Sequence, residues 1–474
     1  MPAPRSPRSS RRPQGGRPSG RPADPARAAA LEVLRVVRTE DAYTNLVLPA
    51  VIARARLDPR DAGLATELAA GTIRRQGTYD AILAGCIDRP LRKVELAVRD
   101  VLRLGCHQLL AMRVPAHAAI SSSVDLARAE VGQGAAGFVN AVLRKVSQRD
   151  LDAWVTEVAP DPAGSRDDRM DHLAIKHSHP RWVVDLLDLA APGDDLDALL
   201  AADNVAPRVT LVARPGRAAV AELPGSPTPY SPFGVVLDGG DPARVPAVAE
   251  GRAGVQDEGS QLVAIALAAA PLEGRDERWV DLCAGPGGKA ALLAALAAER
   301  GAGVLAVEQH LHRAALVRRA VTGPDGTTPG VTGVVTADGT RPPIAAGTAD
   351  RVLVDAPCTG LGALRRRPEA RWRRSPDDLL TLVLLQRRLL SSALDLVRPG
   401  GVVLYATCSP VRAETAEVVG ATVTSRDDVV LQDVRPLLPG VSGADGPLEG
   451  TAQLWPHRHG TDAMFLALLR RGNA

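Results

Sequence analysis

From about residue 251 to the C-terminal end, short apolar runs alternate with longer amphipathic stretches. WVDLCAGPGG leads into KAALLAALAAE, and GVLAVEQ into LHRAALVRRAV. GVVTADGT and RVLVDAPC follow, then the long PDDLLTLVLLQRRLLSSALDLV, which runs into GVVLYATCS. The short runs read as buried strands and the stretches between them as helices. Such a rhythm implies parallel strands joined by crossover helices on both faces, a Rossmann-like α/β domain. It constrains function as well as fold, because these sheets bind ligands at the carboxyl ends of their strands. A Gly-rich turn, Glu308, Asp338, Cys358 and Cys408 all fall at those ends.

The 474 residues exceed one average domain. Residues 26–147 carry apolar positions at three- and four-residue spacing, broken by short polar or Pro/Gly segments, and read as an all-α bundle. Cys86 and Cys106 fall on its apolar helix faces and read as core residues. Residues 148–250 read as a small α+β module, with helices at HPRWVVDLLDLA and DDLDALLAADN and strands at RVTLVA and FGVVL. Residues 1–25 are Arg, Pro, Ser and Gly with almost nothing to bury, a basic tail expected to be disordered. The net charge of +3 does not by itself announce nucleic acid. Five cysteines without a CxxC pair make no disulfide framework, no apolar signal segment opens the chain, and the longest apolar run is too short to span a bilayer. A cytoplasmic protein with free thiols is expected.

DLCAGPGGKA (281–290) combines a strand end, a Gly-rich turn and a helix start. Its glycines permit close backbone approach, and first-turn amides can receive a carboxylate or phosphate. It is neither a GxxxxGK[ST] loop nor a GxGxxG fingerprint. Glu308 ends the next strand, where an acid binds ribose hydroxyls, and Asp338 ends the third. Three signals at three successive strand ends suit a nucleoside with an amino-acid tail better than a nicotinamide dinucleotide.

Cys358 in DAPC and Cys408 in TCS end strands that should be neighbours, so both thiols can face one pocket. A thiolate there is a strong nucleophile. Carbon 5 of a pyrimidine attacks a methyl donor poorly, but adding a thiolate at carbon 6 makes carbon 5 enamine-like. Asp355 can assist by hydrogen-bonding the ring's N3 or amino edge. The residues alone leave open which cysteine attacks.

DLCAGPGGKA, DAPCTG, YATCSP (405–410) and QDEGSQ (256–261) resemble the RNA cytosine-C5 methyltransferases of the NOL1/NOP2/Sun family, and SHPRW (178–182) resembles the segment before their RNA-binding module. The helical region is similar to the antitermination factor NusB. Together these point to the Sun-type 16S ribosomal RNA methyltransferases and cover nearly the whole chain beyond the tail. The resemblance implies a NusB-like RNA-binding domain over 26–147, an RNA-binding or linker module over 148–250 and a class I methyltransferase domain over 251–474. It implies S-adenosylmethionine held by Cys283, Ala284, Gly285, Pro286, Gly287, Gly288, Lys289, Glu308, Asp338 and Asp355. It implies Cys408 as nucleophile, Cys358 in product release and 5-methylcytidine in 16S ribosomal RNA as product. Glu308 stands where many members have Asp, and Gly285 where Ala is common; the Leu-Arg-x-Asn usual after the module's first strand is not seen near VTLVARPG. The alternatives are a noncatalytic ribosome-assembly factor and a transfer RNA cytosine-C5 methyltransferase.

RRRPEARWRR (365–374) sets six arginines around Pro368 and Trp372 just after Cys358. It reads as an RNA-contacting loop, with Arg365, Arg366, Arg367 and Arg371 on phosphates and Trp372 available for stacking. HSH (177–179) and HRH (457–459) lack a matching ligand cluster and read as structural, so no metal is expected. No long exposed apolar seam stands out, and a monomer is expected.

Overall fold

The computed structural model describes residues 23–40, 42–191, 194–323 and 325–472. The basic tail lies outside the described residues up to residue 22. The chain divides into two compact units, one ending at Val158 and the other running from Ala159 onward.

The first unit is helical: α1 (Pro25–Thr39), α2 (Thr44–Ala55), α3 (Pro59–Arg74), α4 (Gln76–Cys86), α5 (Leu96–Leu110), α6 (Ala116–Glu130), α7 (Gln133–Val146) and α8 (Leu151–Val158). Asp24 and Asp58 cap α1 and α3, each followed by a proline at the first helical position, where a missing N–H costs nothing. Leu68, Ile82, Leu83, Leu102 and Leu143 fill the core together with Cys86 and Cys106, as expected of apolar-face cysteines. Buried Arg103 forks onto Asp80 at 2.6 and 2.7 Å and onto Asp100 at 3.2 Å, which satisfies its charge internally. Trp154 of α8 joins this core and donates its indole N–H to the Val146 carbonyl at 2.8 Å, so the bundle runs past residue 147.

In the second unit, α9 (Arg166–His177), α10 (Arg181–Ala190) and α11 (Asp194–Ala202) precede a small antiparallel sheet. Its strands are β1 (Thr210–Ala213), β2 (Ser226–Pro227), β3 (Gly234–Val236) and β4 (Ala253–Val255), in the order β2-β3-β1-β4. The expected strands at RVTLVA and FGVVL are β1 and β3. The three helices do not build a core of their own. Leu173, Val184, Leu187 and Leu199 pack with Leu361, Leu364, Leu379 and Trp455 from beyond residue 250.

A short α12 (Pro246–Ala249) and then α13 (Glu258–Ala269) lead into the main sheet. Its strands are β5 (Arg278–Asp281), β6 (Gly303–Glu308), β7 (Val331–Thr336), β8 (Ala349–Asp355), β9 (Val397–Thr407), β10 (Val429–Gln432), β11 (Ala452–Gln453) and β12 (Phe465–Arg471). Between them run α14 (Gly288–Ala298), α15 (Leu311–Val321), α16 (Ala370–Arg373), α17 (Pro376–Leu396), α18 (Ala416–Thr424) and α19 (Pro456–His459). The order is β10-β12-β9-β8-β5-β6-β7, with β11 beside β12. Strands β5 to β9 are parallel; β12 enters antiparallel between β9 and β10. The five strands read from the sequence are parallel as expected; β12 is not among them, and with no long crossover helix before it the strand is free to reverse. Alternate residues serve opposite faces. Trp279, Leu353 and Leu404 pack with Leu262, Leu267 and Leu293, whereas Val280, Val354 and Tyr405 pack with Leu389, Leu394 and Val419. The strand order reverses between β5 and β8, which marks the sheet's switch point.

Candidate active site

Asp355 ends β8 and pairs in register with Ala406 of β9. Cys358 and Cys408 therefore leave the sheet side by side, and their sulfurs lie 3.4 Å apart. Their surroundings differ. Cys408 is pulled below the usual thiol range by the hydrogen bond from Cys358 and by the Lys289 and Arg367 cations, which outweigh burial and the Asp355 charge. Cys358 is pushed well up by that same bond, by burial and by the Glu414 carboxylate. These surroundings favour the thiolate on Cys408 over Cys358.

Lys289 donates to Asp355 Oδ2 at 2.8 Å across the switch point. Burial opposes its charge, but the Asp355 partner prevails and holds the ammonium above its ordinary range. Behind this pair Asp281 ends β5 fully buried. Its Oδ1 accepts from the Cys283 amide at 3.3 Å, and Oδ2 has no hydrogen-bond partner. Burial and the neighbouring Asp355 raise its pKa to about 7. Cys283 is held well above the thiol range by burial and by Asp281.

In the turn, Gly287 caps α14 with φ 115°, where a Cβ would lie 2.6 Å from that of Ala320. The α14 N-terminus carries no side-chain cap. Glu308 bridges the turn to its own strand end: Oε2 accepts from the Gly285 amide at 3.1 Å and Oε1 from the His310 amide at 3.0 Å. Arg313 donates to the Gly285 carbonyl at 2.7 Å. Asp338 is exposed and accepts from the Thr340 amide and hydroxyl, which lower its pKa.

The arginine cluster departs from expectation. Arg371 is fully buried and donates to the carbonyls of His177, Ser178 and Asp203 and to the Asn204 side chain. Arg365, also buried, binds Asp462 and the Gly460 carbonyl, and Arg366 pairs with Asp257 and Asp462. These three cations are spent on internal acceptors, so they do not form a phosphate-contacting surface. Arg367 is exposed, and its charge reaches Cys408. Trp372 is half-buried, with its indole nitrogen enclosed. His177 faces Asp197 at 2.9 Å, and His459 bonds the Trp455 amide and the Ser442 carbonyl. Among the described residues, no cluster of His, Cys, Asp or Glu suits a metal ion, and no helix is long and apolar enough to cross a membrane.

Sequence reasoning missed Asp281, Glu414 and Gln386. One signal was visible: Cys358 and Cys408 are each followed by a hydroxyl residue, Thr359 and Ser409.

Residues 266–470 match the family described as 16S rRNA methyltransferase RsmB/F, and residues 24–148 match the NusB family. A putative methyltransferase of Mycobacterium tuberculosis (strain H37Rv) is 50% identical over 467 residues, 97% of this chain and 99% of that one. The probable ribosomal RNA small subunit methyltransferase B of Bacillus subtilis is 30% identical across 94% of this chain and 98% of its own. The crystal structure of PH0851 superposes with a TM-score of 0.75 at 23% identity, covering 96% of this chain and all of that one, a likeness of fold. The strand-end turn, the paired cysteines and these matches agree, and the chain belongs to the RsmB/F family of 16S rRNA methyltransferases, with a NusB-family domain at its N-terminal side.

Proposed function

We propose that this chain transfers a methyl group to carbon 5 of a cytidine in 16S ribosomal RNA, with Cys408 adding to carbon 6. The observation that carries the reading is the cysteine pair at 3.4 Å with its opposite displacements in acidity. Relatives named as ribosomal RNA small subunit methyltransferase B support the substrate. The methyl donor of the family is S-adenosylmethionine, which supplies an electrophilic methyl group. The pocket fits it on three counts: the uncapped α14 amides suit a carboxylate, the unpartnered Asp281 oxygen suits a cation, and Glu308 and Asp338 suit hydroxyl and ring donors. Cys283 to Lys289, Glu308, Asp338 and Asp355 would hold it.

The chain's own residues do the rest. The Cys408 thiolate adds to carbon 6 of an unstacked base. Asp355, anchored through Oδ2 by Lys289, keeps its other oxygen for the N3 or amino edge of the ring. After carbon 5 is methylated and loses its proton to a base, Cys408 leaves as a thiolate. The Cys358 S–H, within bonding distance, would then donate to that thiolate, which supports a product-release role for it. The helical unit and the small antiparallel sheet are the proposed RNA grips, and the protein is proposed to act as a cytoplasmic monomer.

The test is incubation with unmethylated 16S ribosomal RNA and labelled S-adenosylmethionine, followed by nucleoside mass spectrometry. The parent should yield 5-methylcytidine and Cys408→Ala none, with donor binding retained. Cys358→Ala should accumulate a covalent RNA adduct. An adduct in Cys408→Ala instead would reverse the cysteine roles.

A further inference from the structure

Behind the cysteine pair lies a carboxylate that the reaction scheme does not use. Glu414, six residues beyond Cys408, is fully buried in a single helical turn ahead of α18. Its Oε1 accepts from the Thr359 amide at 2.8 Å and from Gln386 Nε2 at 3.0 Å. Its Oε2 accepts from the Thr359 hydroxyl at 2.5 Å and the Ser409 hydroxyl at 2.6 Å. Gln386 also donates to the Pro357 carbonyl at 2.9 Å, and the Tyr405 hydroxyl to the Glu414 carbonyl at 2.8 Å. One side chain therefore grips the residue after each cysteine, and its donor Gln386 grips the residue before Cys358.

We propose that Glu414 is a positioning residue that fixes the two cysteines at bonding distance and keeps the proton on Cys358. Four donors converge on the two carboxylate oxygens and hold them in place behind the cysteine pair. The carboxylate charge bears on Cys358. Lys289 from α14 and Arg367 from the loop after Cys358 oppose it on the Cys408 side, and Asp355 of β8 lies beyond them. The carboxylate thus adds to the difference between the two thiols from the Cys358 side, as the two cations do from the Cys408 side. It also explains why each cysteine precedes a hydroxyl residue: Thr359 and Ser409 share one acceptor.

The inference rests on the cysteine-adduct reading for its consequence, but its test needs no RNA. The full chain is alkylated with iodoacetamide across pH 6 to 10 (roughly the range in which cysteine thiols ionise), and each cysteine is quantified by peptide mass spectrometry. In the parent, Cys408 should react at lower pH than Cys358. Glu414→Gln should bring the two onsets closer, raising Cys358 reactivity about tenfold at a pH where it is still mostly thiol, which is a pKa change of about one unit. Methylation should slow while S-adenosylmethionine affinity holds. An unchanged gap in folded Glu414→Gln overturns the proposal. Should that variant not fold, Thr359→Val with Ser409→Ala removes both hydroxyl donors; it should loosen the cysteine pair, narrow the gap and slow methylation, and an unchanged gap or rate refutes the role. If the gap responds but no 5-methylcytidine forms from any RNA, the substrate reading fails and this one stands.

Discussion

Gly285→Ala tests whether the Gly-rich turn and Glu308 form one unit. A Cβ at residue 285 would stand 2.0 Å from Glu308 Oε2 and 2.9 Å from its Cδ, where ordinary contact begins at 3.4 Å. The carboxylate would have to retreat by about 1.4 Å, a distance close to one carbon–carbon bond. It cannot swing away freely, because Glu308 is 4% exposed and held at both oxygens by the Gly285 and His310 amides. Losing the charge-assisted bond at Gly285 costs about 1.5–3 kcal/mol. The lower chain entropy of unfolded Ala returns about 0.4–1 kcal/mol. The net loss is about 1–2 kcal/mol in urea unfolding, and S-adenosylmethionine affinity should fall about tenfold as the proposed ribose acid is displaced. Glu308→Asp withdraws the carboxylate by about one bond length, the amount required. The double variant should therefore recover both quantities, with a coupling energy above about 1 kcal/mol in the cycle. Calorimetric titration of the donor and urea unfolding of all four proteins measure it. Additivity within about 0.5 kcal/mol would refute the idea that residue 285 must be glycine because residue 308 is glutamate.

The remaining expectations follow from the same geometry. Lys289→Met removes a cation beside Cys408 and should shift its alkylation onset to higher pH; an unmoved onset would mean that Cys358 and Arg367 acidify it without Lys289. Arg371→Met should cost about 3–5 kcal/mol in urea unfolding, because a buried charge bonded to three carbonyls is deleted and its acceptors are left without their donor. Arg367→Ala should change stability by less than about 0.5 kcal/mol while weakening RNA binding and flattening its salt dependence in filter-binding titrations. Asp281 has a folded pKa of about 7, raised by burial and Asp355 above its unfolded value, so the folded state holds the extra proton. Its stabilising contribution is present below the unfolded carboxylate pKa and is lost as pH rises toward 7. The donor-free protein should therefore lose stability between about pH 4 and 7, and Asp281→Asn should flatten that slope by one proton's worth in melting-temperature profiles.

The fold and the reacting atoms were legible because both are written as patterns local in sequence. Alternating apolar runs specify strands, and the residues just beyond strands β5, β6, β8 and β9 must meet at one edge whatever the loops do. Cys358 and Cys408, fifty residues apart in the chain, come together for that reason alone. Burial is not local, and the errors follow from it. RRRPEARWRR looks like a solvent-facing basic loop until α9 to α11 fold over it and their carbonyls claim Arg371. The same coverage makes Asp257 and Asp462 internal counterions for Arg365 and Arg366. Glu414 shows the converse: as a lone acid ahead of a helix it reads as an ordinary first-turn residue, and only the register of β8 beside β9 brings two hydroxyl donors onto it. Gly285 and Glu308 carry the point furthest. In the sequence they are two separate departures, one smaller residue and one larger, twenty-three positions apart. In space the place that a Cβ at residue 285 would take is held by the Glu308 carboxylate. The two positions share one contact, so a change at either has to be read together with the other.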